Sequence, residues 1–317
     1  MNLKLPSTAI RNLLKVASHS ANLLGPRLVN HKKVEVKTGL FYGSARKTYP
    51  RLIDVYRPRG KIGQLPIAIF VHGGGFMFFS KDSHAAASAR LAESGYVVFC
   101  MDYSLSPDCP YPAGLVDVMD AYQWIAENAA TFEGDVNDIS LIGESAGSNL
   151  SLALCLQLFE IRKLENYSFR SPNLPKPTHL ILHCGHLQVT DVERYENDPR
   201  CFALAYTRIA QIQEYYLTAS RGSRDQDWGL ANPLIEIEKL AADKKSLPTG
   251  FPKVFAPVGE NDPIINDSER LAIAMKTLGQ PNVLKVYAGQ GHAFNVFPFK
   301  KAAVECWNDI VQFMRKN

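Results

Sequence analysis

The residues best placed to do chemistry lie in the pentapeptide Gly143-Glu144-Ser145-Ala146-Gly147, between the apolar run Ile139-Ser140-Leu141-Ile142 and a long apolar helical pattern, Ala146 to Leu158. A serine between strand and helix, with glycine two residues to either side, spells a tight turn. Such a turn strains the serine backbone and lifts its hydroxyl clear of a sheet. The hydroxyl becomes a nucleophile when an imidazole takes its proton and a carboxylate fixes the imidazole tautomer. Alone, the pattern arises by chance in about one chain in ten of this length, so its meaning depends on the other parts.

In the order serine, acid, histidine, the base must follow Ser145 with room for an acid between them. His179, His183 and His186 belong to the next strand and its exit, which leaves His292. It sits in the glycine-rich Gly289-Gln290-Gly291-His292-Ala293-Phe294 after the last apolar strand. The acid chosen is Asp262, in Gly259-Glu260-Asn261-Asp262-Pro263 at the end of Val254–Val258, because Pro263 biases it to a rigid extended conformation. Glu260 and Asp267 are the alternatives, with Asp267 expected to cap a helix beginning near Ser268. A developing oxyanion needs N–H donors set in place beforehand. His72-Gly73-Gly74-Gly75 supplies close-approaching backbone after the strand Pro66–Val71, and the Ala146 amide completes the set. No GxGxxG pattern or Walker lysine follows the glycines, so nucleotide binding is not expected.

These parts need a scaffold. Lys33–Thr38 and Arg51–Tyr56 read as half-exposed edge strands. Pro66–Val71, Tyr96–Met101, Ile139–Ile142, Leu180–His183, Val254–Val258 and Val283–Tyr287 read as buried ones. Helical patterns at Ala85–Glu93, Leu115–Ala129, Ala146–Leu158, Glu269–Leu278 and Ala302–Met314 fall among or after them. That alternation predicts an α/β fold, a mostly parallel, doubly wound sheet covered on both faces. Between Cys184 and Pro252 the rhythm breaks, with one good helical pattern, Phe202 to Leu217. Residues 185–234 are therefore read as an insertion forming a helical cap over the carboxyl edge of the sheet, where ligands bind in such folds. The expected organisation is an N-terminal cap segment and edge strand at 1–50, then a catalytic domain at 51–317.

The 317 residues are 46% hydrophobic and 21% charged, a globular composition, and no 18-residue uncharged apolar run could span a bilayer. Six cysteines without CxxC spacing suggest reduced thiols and a cytoplasmic protein. The net charge of +4 is uneven. Residues 1–50 hold nine Lys/Arg and one acid, a net of +8, against −4 for the rest. In this region Ile10, Leu13, Leu14, Ala17, Ala21 and Leu24 recur at helical spacing, with Arg11, Lys15 and Ser18 on other faces. The expectation is an amphipathic helix docked over the active-site mouth or on the domain. Membrane-surface contact through residues 1–30 and a targeting peptide are the alternatives.

With these parts in order, the chain from about Pro66 onward resembles the bacterial hormone-sensitive lipase-like (family IV) esterases of the α/β-hydrolase fold. The resemblance rests on His72-Gly73-Gly74-Gly75-Phe76, on Asp102-Tyr103-Ser104-Leu105-Ser106-Pro107-Asp108 with Tyr111-Pro112-Ala113, on Gly143 to Leu150, on Asp262-Pro263 and on Gly291-His292-Ala293-Phe294. It implies Ser145 as nucleophile, His292 as base, Asp262 as its orienter and the amides of Gly74, Gly75 and Ala146 as oxyanion donors. It also implies a cap built from the N-terminal segment and the insertion. The chain departs from the family's usual residues at Glu144, Ser104, Asp108, Ser148 and Phe79. The function expected is hydrolysis of short- to medium-chain acyl esters through an acyl-enzyme, with Phe76 in the substrate pocket. The expected partner is a small-molecule ester, with no nucleic acid, no cofactor and no metal; a homodimer is left open. Two alternatives stand beside it, an arylformamidase-like amide hydrolase and a non-catalytic small-molecule receptor on the same fold.

Overall fold

Strand β3 (Leu65–Val71) sets the layers. Ile67, Ile69 and Val71 point into one core and Ala68 and Phe70 into the other, as a strand's two-residue period requires. A computed structural model describes residues 7–43, 51–218, 228–297 and 299–315, with residues 7–11 as backbone only. Its eight strands form one sheet in the order β1-β2-β4-β3-β5-β6-β7-β8. Alongside β3 these are β1 (Val34–Phe41), β2 (Leu52–Pro58), β4 (Val97–Met101), β5 (Gly134–Glu144), β6 (His179–His183), β7 (Lys253–Gly259) and β8 (Asn282–Tyr287). β1 and β2 pair antiparallel at one edge, and β4 through β8 run parallel with β3.

One face is covered by α3 (Ala113–Asn128), α4 (Ala146–Leu158), α6 (Pro233–Ala242) and α7 (Ile265–Thr277), through residues such as Val118, Leu152, Ile237 and Met275. The other is covered by α2 (Ala85–Glu93) and α8 (Lys301–Met314), with Ala89, Cys306 and Trp307 at the contact. Every residue of α4 is buried, which is why its sequence carries no polar stripe. β3 and β5 lie at the centre, so the turn after each opens at the same carboxyl edge.

The described part of residues 185–234 holds α5 (Ala203–Tyr216), and α1 (Ser7–Leu24) packs against α5. The expected apolar face of α1 is corrected. Leu13 is 67% and Leu24 53% exposed, while Leu14, Ser18, Ala21 and Asn22 are partly covered. Hydrogen bonds seat this helix more than apolar burial does. The Phe79 N–H donates to Ser18 Oγ, and Ser80 Oγ to Asn22 Oδ1, each at 2.8 Å. The side chains of Ile10 and Arg11 lie outside the described residues, as do residues 1–6, 44–50 and 219–227 of the two segments expected to form a cap.

Two further corrections concern helices. α6 had no counterpart in the sequence reading; it begins at Pro233, a favoured first helical residue, and packs against α4 and α7. α7 starts at Ile265 rather than near Ser268, so Asp267 sits inside its first turn. No helix among the described residues is long and apolar enough to cross a membrane.

Candidate active site

Ser145 occupies the turn between β5 and α4 with φ 52° and ψ −112°, a conformation that ordinary residues avoid. The turn closes so tightly that a Cβ on Gly143 would fall 2.4 Å from the Gly147 carbonyl oxygen. Neighbouring backbone holds the strain. The Ser145 N–H donates to the His183 carbonyl at 2.8 Å, the same carbonyl accepts Ser148 Oγ at 3.0 Å, and the His186 N–H donates to the Ser145 carbonyl at 3.2 Å.

His292 Nε2 lies 3.0 Å from Ser145 Oγ, and its Nδ1 lies 2.9 and 3.1 Å from the two oxygens of Asp262. A buried carboxylate only accepts, so in the neutral ring Nδ1 carries the hydrogen and Nε2 turns its lone pair to the hydroxyl. Asp262 is 0% exposed, and its Oδ1 also accepts the Ile264 N–H. Burial opposes charge on His292, but the Asp262 carboxylate and the Cys184 sulfur outweigh it and raise its pKa well above the ordinary value. Both alternative acids are otherwise engaged. Glu260 accepts the Gly289 N–H at 2.8 Å. Asp267, instead of capping a helix, accepts from the N–H groups of Leu187 and Gln188, from Tyr195 Oη and from Arg194.

The loop expected to supply oxyanion donors follows β3. Gly74 has φ 114°, and a Cβ there would lie 2.2 Å from the Phe78 carbonyl oxygen, so only glycine fits. Its carbonyl accepts the Met77 and Phe78 N–H groups, both at 3.2 Å. Among the described residues, the N–H groups of Gly74, Gly75 and Ala146 have no acceptor and remain available to a ligand oxygen. Behind the loop His72 stacks on Tyr103 at 4.2 Å; burial, then His84, pushes its pKa down to about 3, so it is a neutral spacer. Glu144 lies beneath the loop with Oε2 3.6 Å from His84 Nε2. Burial opposes its ionisation, but His84, with His183 and His292, holds its pKa down at about 2.

In front of Ser145 is a cavity of about 300 Å³, walled by Leu13 and Leu14 of α1, by Leu204, Arg208, Ile209 and Ile212 of α5, and by His186, Ile264 and His292. Burial lowers the His186 pKa to about 4, leaving it neutral there. Phe76 is absent from this wall, which corrects its expected place in the pocket. It is 1% exposed and stacks on Tyr216 at 3.8 Å, because its positive φ of 59° turns the side chain into the core behind the loop. Beneath His292 lies the Cys184 thiol, 3.1 Å from His183 Nδ1 and with its sulfur within 4.8 Å of ligand atoms of Asp262 and His292. Burial resists its ionisation, but His183 and then His292 more than offset that and lower the thiol pKa.

Ser145, Asp262, His292, Gly74, Gly75 and Ala146 thus converge, and Phe76 does not join them. Sequence reasoning missed Arg208, Cys184 and the buried His84–Glu144 pair. A helical wheel of α5 puts Arg208 on the stripe of Leu204, Ala205, Ile209 and Ile212, a charge on an apolar face that was legible. Nothing in the sequence marks Cys184.

A family model described as alpha/beta hydrolase fold matches residues 68–296. A versiconal hemiacetal acetate esterase of Dothistroma septosporum is 28% identical over 250 residues, covering 77% of this chain and 71% of that protein. The carboxylesterase NlhH of Mycobacterium tuberculosis is 38% identical over 103 residues, and the chain spans only 32% of its length. A solved hyperthermophilic esterase from the archaeon Pyrobaculum calidifontis superposes with a TM-score of 0.75 at 23% identity, over 99% of this chain and 92% of that one, a likeness of fold.

Proposed function

The chain belongs to the α/β-hydrolase superfamily, among its hormone-sensitive lipase-like members, and we propose that it is a serine carboxylesterase working through an acyl-enzyme on short- to medium-chain acyl esters. The observation that carries this reading is the continuous hydrogen-bonded line from Asp262 through His292 to Ser145, with 3.0 Å between Nε2 and Oγ, facing an apolar cavity.

In the reaction Ser145 Oγ attacks the ester carbonyl carbon as its proton passes to His292 Nε2. The imidazolium is held by the Asp262 carboxylate at Nδ1. The carbonyl oxygen gains negative charge and takes hydrogen bonds from the amides of Gly74, Gly75 and Ala146, which cost no reorganisation when the charge appears. Collapse expels the alcohol, protonated by His292, and leaves an acyl group on Ser145. Water then repeats the sequence with His292 as base, releasing the acid and restoring the serine. The cavity volume of about 300 Å³ supports acyl groups of short to medium length, and six free cysteines support a reducing, cytoplasmic setting.

Turnover of 4-nitrophenyl acetate to octanoate by the purified protein and by Ser145→Ala tests the assignment. The serine variant is expected to lose at least about 10³-fold in kcat. Equal activity in the two proteins overturns it.

A further inference from the structure

Among the described residues Arg208 is the one permanently charged side chain on the wall of the cavity in front of Ser145, and its charged surroundings there include the Tyr215 phenol but no carboxylate. Its contacts are soft. Nη1 lies 3.6 Å from Met77 Sδ, and the guanidinium carbon sits 4.7 Å from the centre of the Phe78 ring. A thioether and a π face steer a guanidinium without neutralising it. Burial lowers its pKa only to about 10, so it stays protonated at neutral pH. A cation among Leu204, Ile209 and Ile212 with no carboxylate partner among the described residues is costly, and an arginine held in that way has a use for the space before it.

Its position says which use. A Cβ on Gly75 would lie 3.0 Å from Arg208 Nη2, so the guanidinium stands beside the oxyanion loop, within a few bonds' reach of any carbonyl bound there. We propose that Arg208 is a specificity-determining residue that binds an anionic group, a carboxylate in the simplest case, carried by the ester a few bonds from the carbonyl that Ser145 attacks. The proposal rests on the esterase reading for the attack, and on the cavity alone for the binding. A carboxylate fits the planar guanidinium through two parallel hydrogen bonds, and the apolar walls shield that pair from water. The preferred substrate is then a half-ester of a dicarboxylic acid or an ester of a carboxylate-bearing alcohol, and the two differ only in the side of the scissile bond that holds the charge.

Two matched pairs of esters test this, with spontaneous hydrolysis subtracted. The acyl arm compares mono-4-nitrophenyl adipate with 4-nitrophenyl hexanoate, and the alcohol arm compares 4-carboxyphenyl butyrate with 4-carbamoylphenyl butyrate. Wild-type protein is expected to favour the charged member of one pair by about 10-fold or more in kcat/KM. Arg208→Met should abolish that ratio, and Arg208→Lys, which keeps the charge, should retain part of it. Preference for the neutral member in both pairs, or a ratio unmoved by Arg208→Met, overturns the proposal. Binding of monomethyl adipate and of methyl hexanoate to Ser145→Ala and to the Ser145→Ala/Arg208→Met double variant, followed by calorimetry, reads the same preference without turnover. Failure of Ser145 to react with a fluorophosphonate counts against the esterase reading only, and the calorimetric ratio then still decides the role of Arg208.

Discussion

Gly147 lies directly under the end of β3, so close that a Cβ there would stand 2.1 Å from the Val71 carbonyl oxygen and 2.6 Å from that of His72. α4 and the loop at residues 73–75 are thus fitted to each other through backbone, and this contact sets the distance between the Ser145 hydroxyl and the amides proposed as oxyanion donors. Gly147→Ala is expected to push them apart, because neither carbonyl can yield as a side chain would. A misplacement near 1 Å costs about 10²-fold in rate, so kcat should fall by that order with a lower denaturation midpoint. An alanine variant with full activity would show that the contact does not set the geometry.

The proposed mechanism requires neutral His292. Because the Asp262 carboxylate raises its pKa above the ordinary imidazole value, the acidic limb of the kcat/KM profile should lie above the midpoint of a free histidine, with activity lost as pH falls through it. Asp262→Asn removes the larger of the two charges that raise the pKa and leaves the burial that lowers it, so the limb should move to lower pH. The rate should drop about 10⁴-fold through loss of the correct tautomer. A pH–rate series on both proteins checks the sign, and a limb that stays in place in the asparagine variant contradicts it.

Cys184 and His292 place a soft and a borderline ligand beside Asp262. None of the proposed steps uses a metal, so treatment with a chelator should leave kcat unchanged. Thiophilic ions such as Zn²⁺ or Hg²⁺ should inhibit by capturing the base. Cys184→Ala should raise the inhibitory concentration by about tenfold or more, the loss of one thiolate ligand. Undiminished inhibition in that variant would locate the metal elsewhere.

Asp267 holds the root of the insertion. Its carboxylate gathers two backbone N–H groups, Tyr195 Oη and Arg194, all with little access to water. Asp267→Ala strands a cation and two amides, a loss expected to cost about 3–5 kcal/mol. Chemical denaturation should read this as a lower midpoint. A change under about 0.5 kcal/mol, the range of ordinary surface substitutions, would mean the cluster is not structural.

The legible parts of the fold are those where one constraint acts on many residues. The unbroken apolar run of β3 and the largely apolar pattern of α4 place both turns at one edge, and motif order then selects His292 and Asp262. Single buried polar residues were harder to read. Asp267 looked like a helix cap because Asp suits caps, yet its partners lie about eighty positions away in the 186–195 segment. Phe76 reads as a pocket aromatic until its positive φ turns it inward. α1 was read by its leucines and is seated by Ser18 and Asn22, since a hydroxyl and an amide can dock a helix as well as an apolar stripe does.

That docking has a consequence in time. α1 leaves the ribosome well before the places that receive it, with Phe79 following Ser18 by 61 residues and α5 coming much later. Until then its leucines have no wall to complete. The cavity closes only once α5 has been made, and its base arrives only with the loop after β8. A nascent chain stalled between the two would hold the arginine side of the cavity without the proposed base, so on this reading competence arrives late and in one step, with the loop after β8.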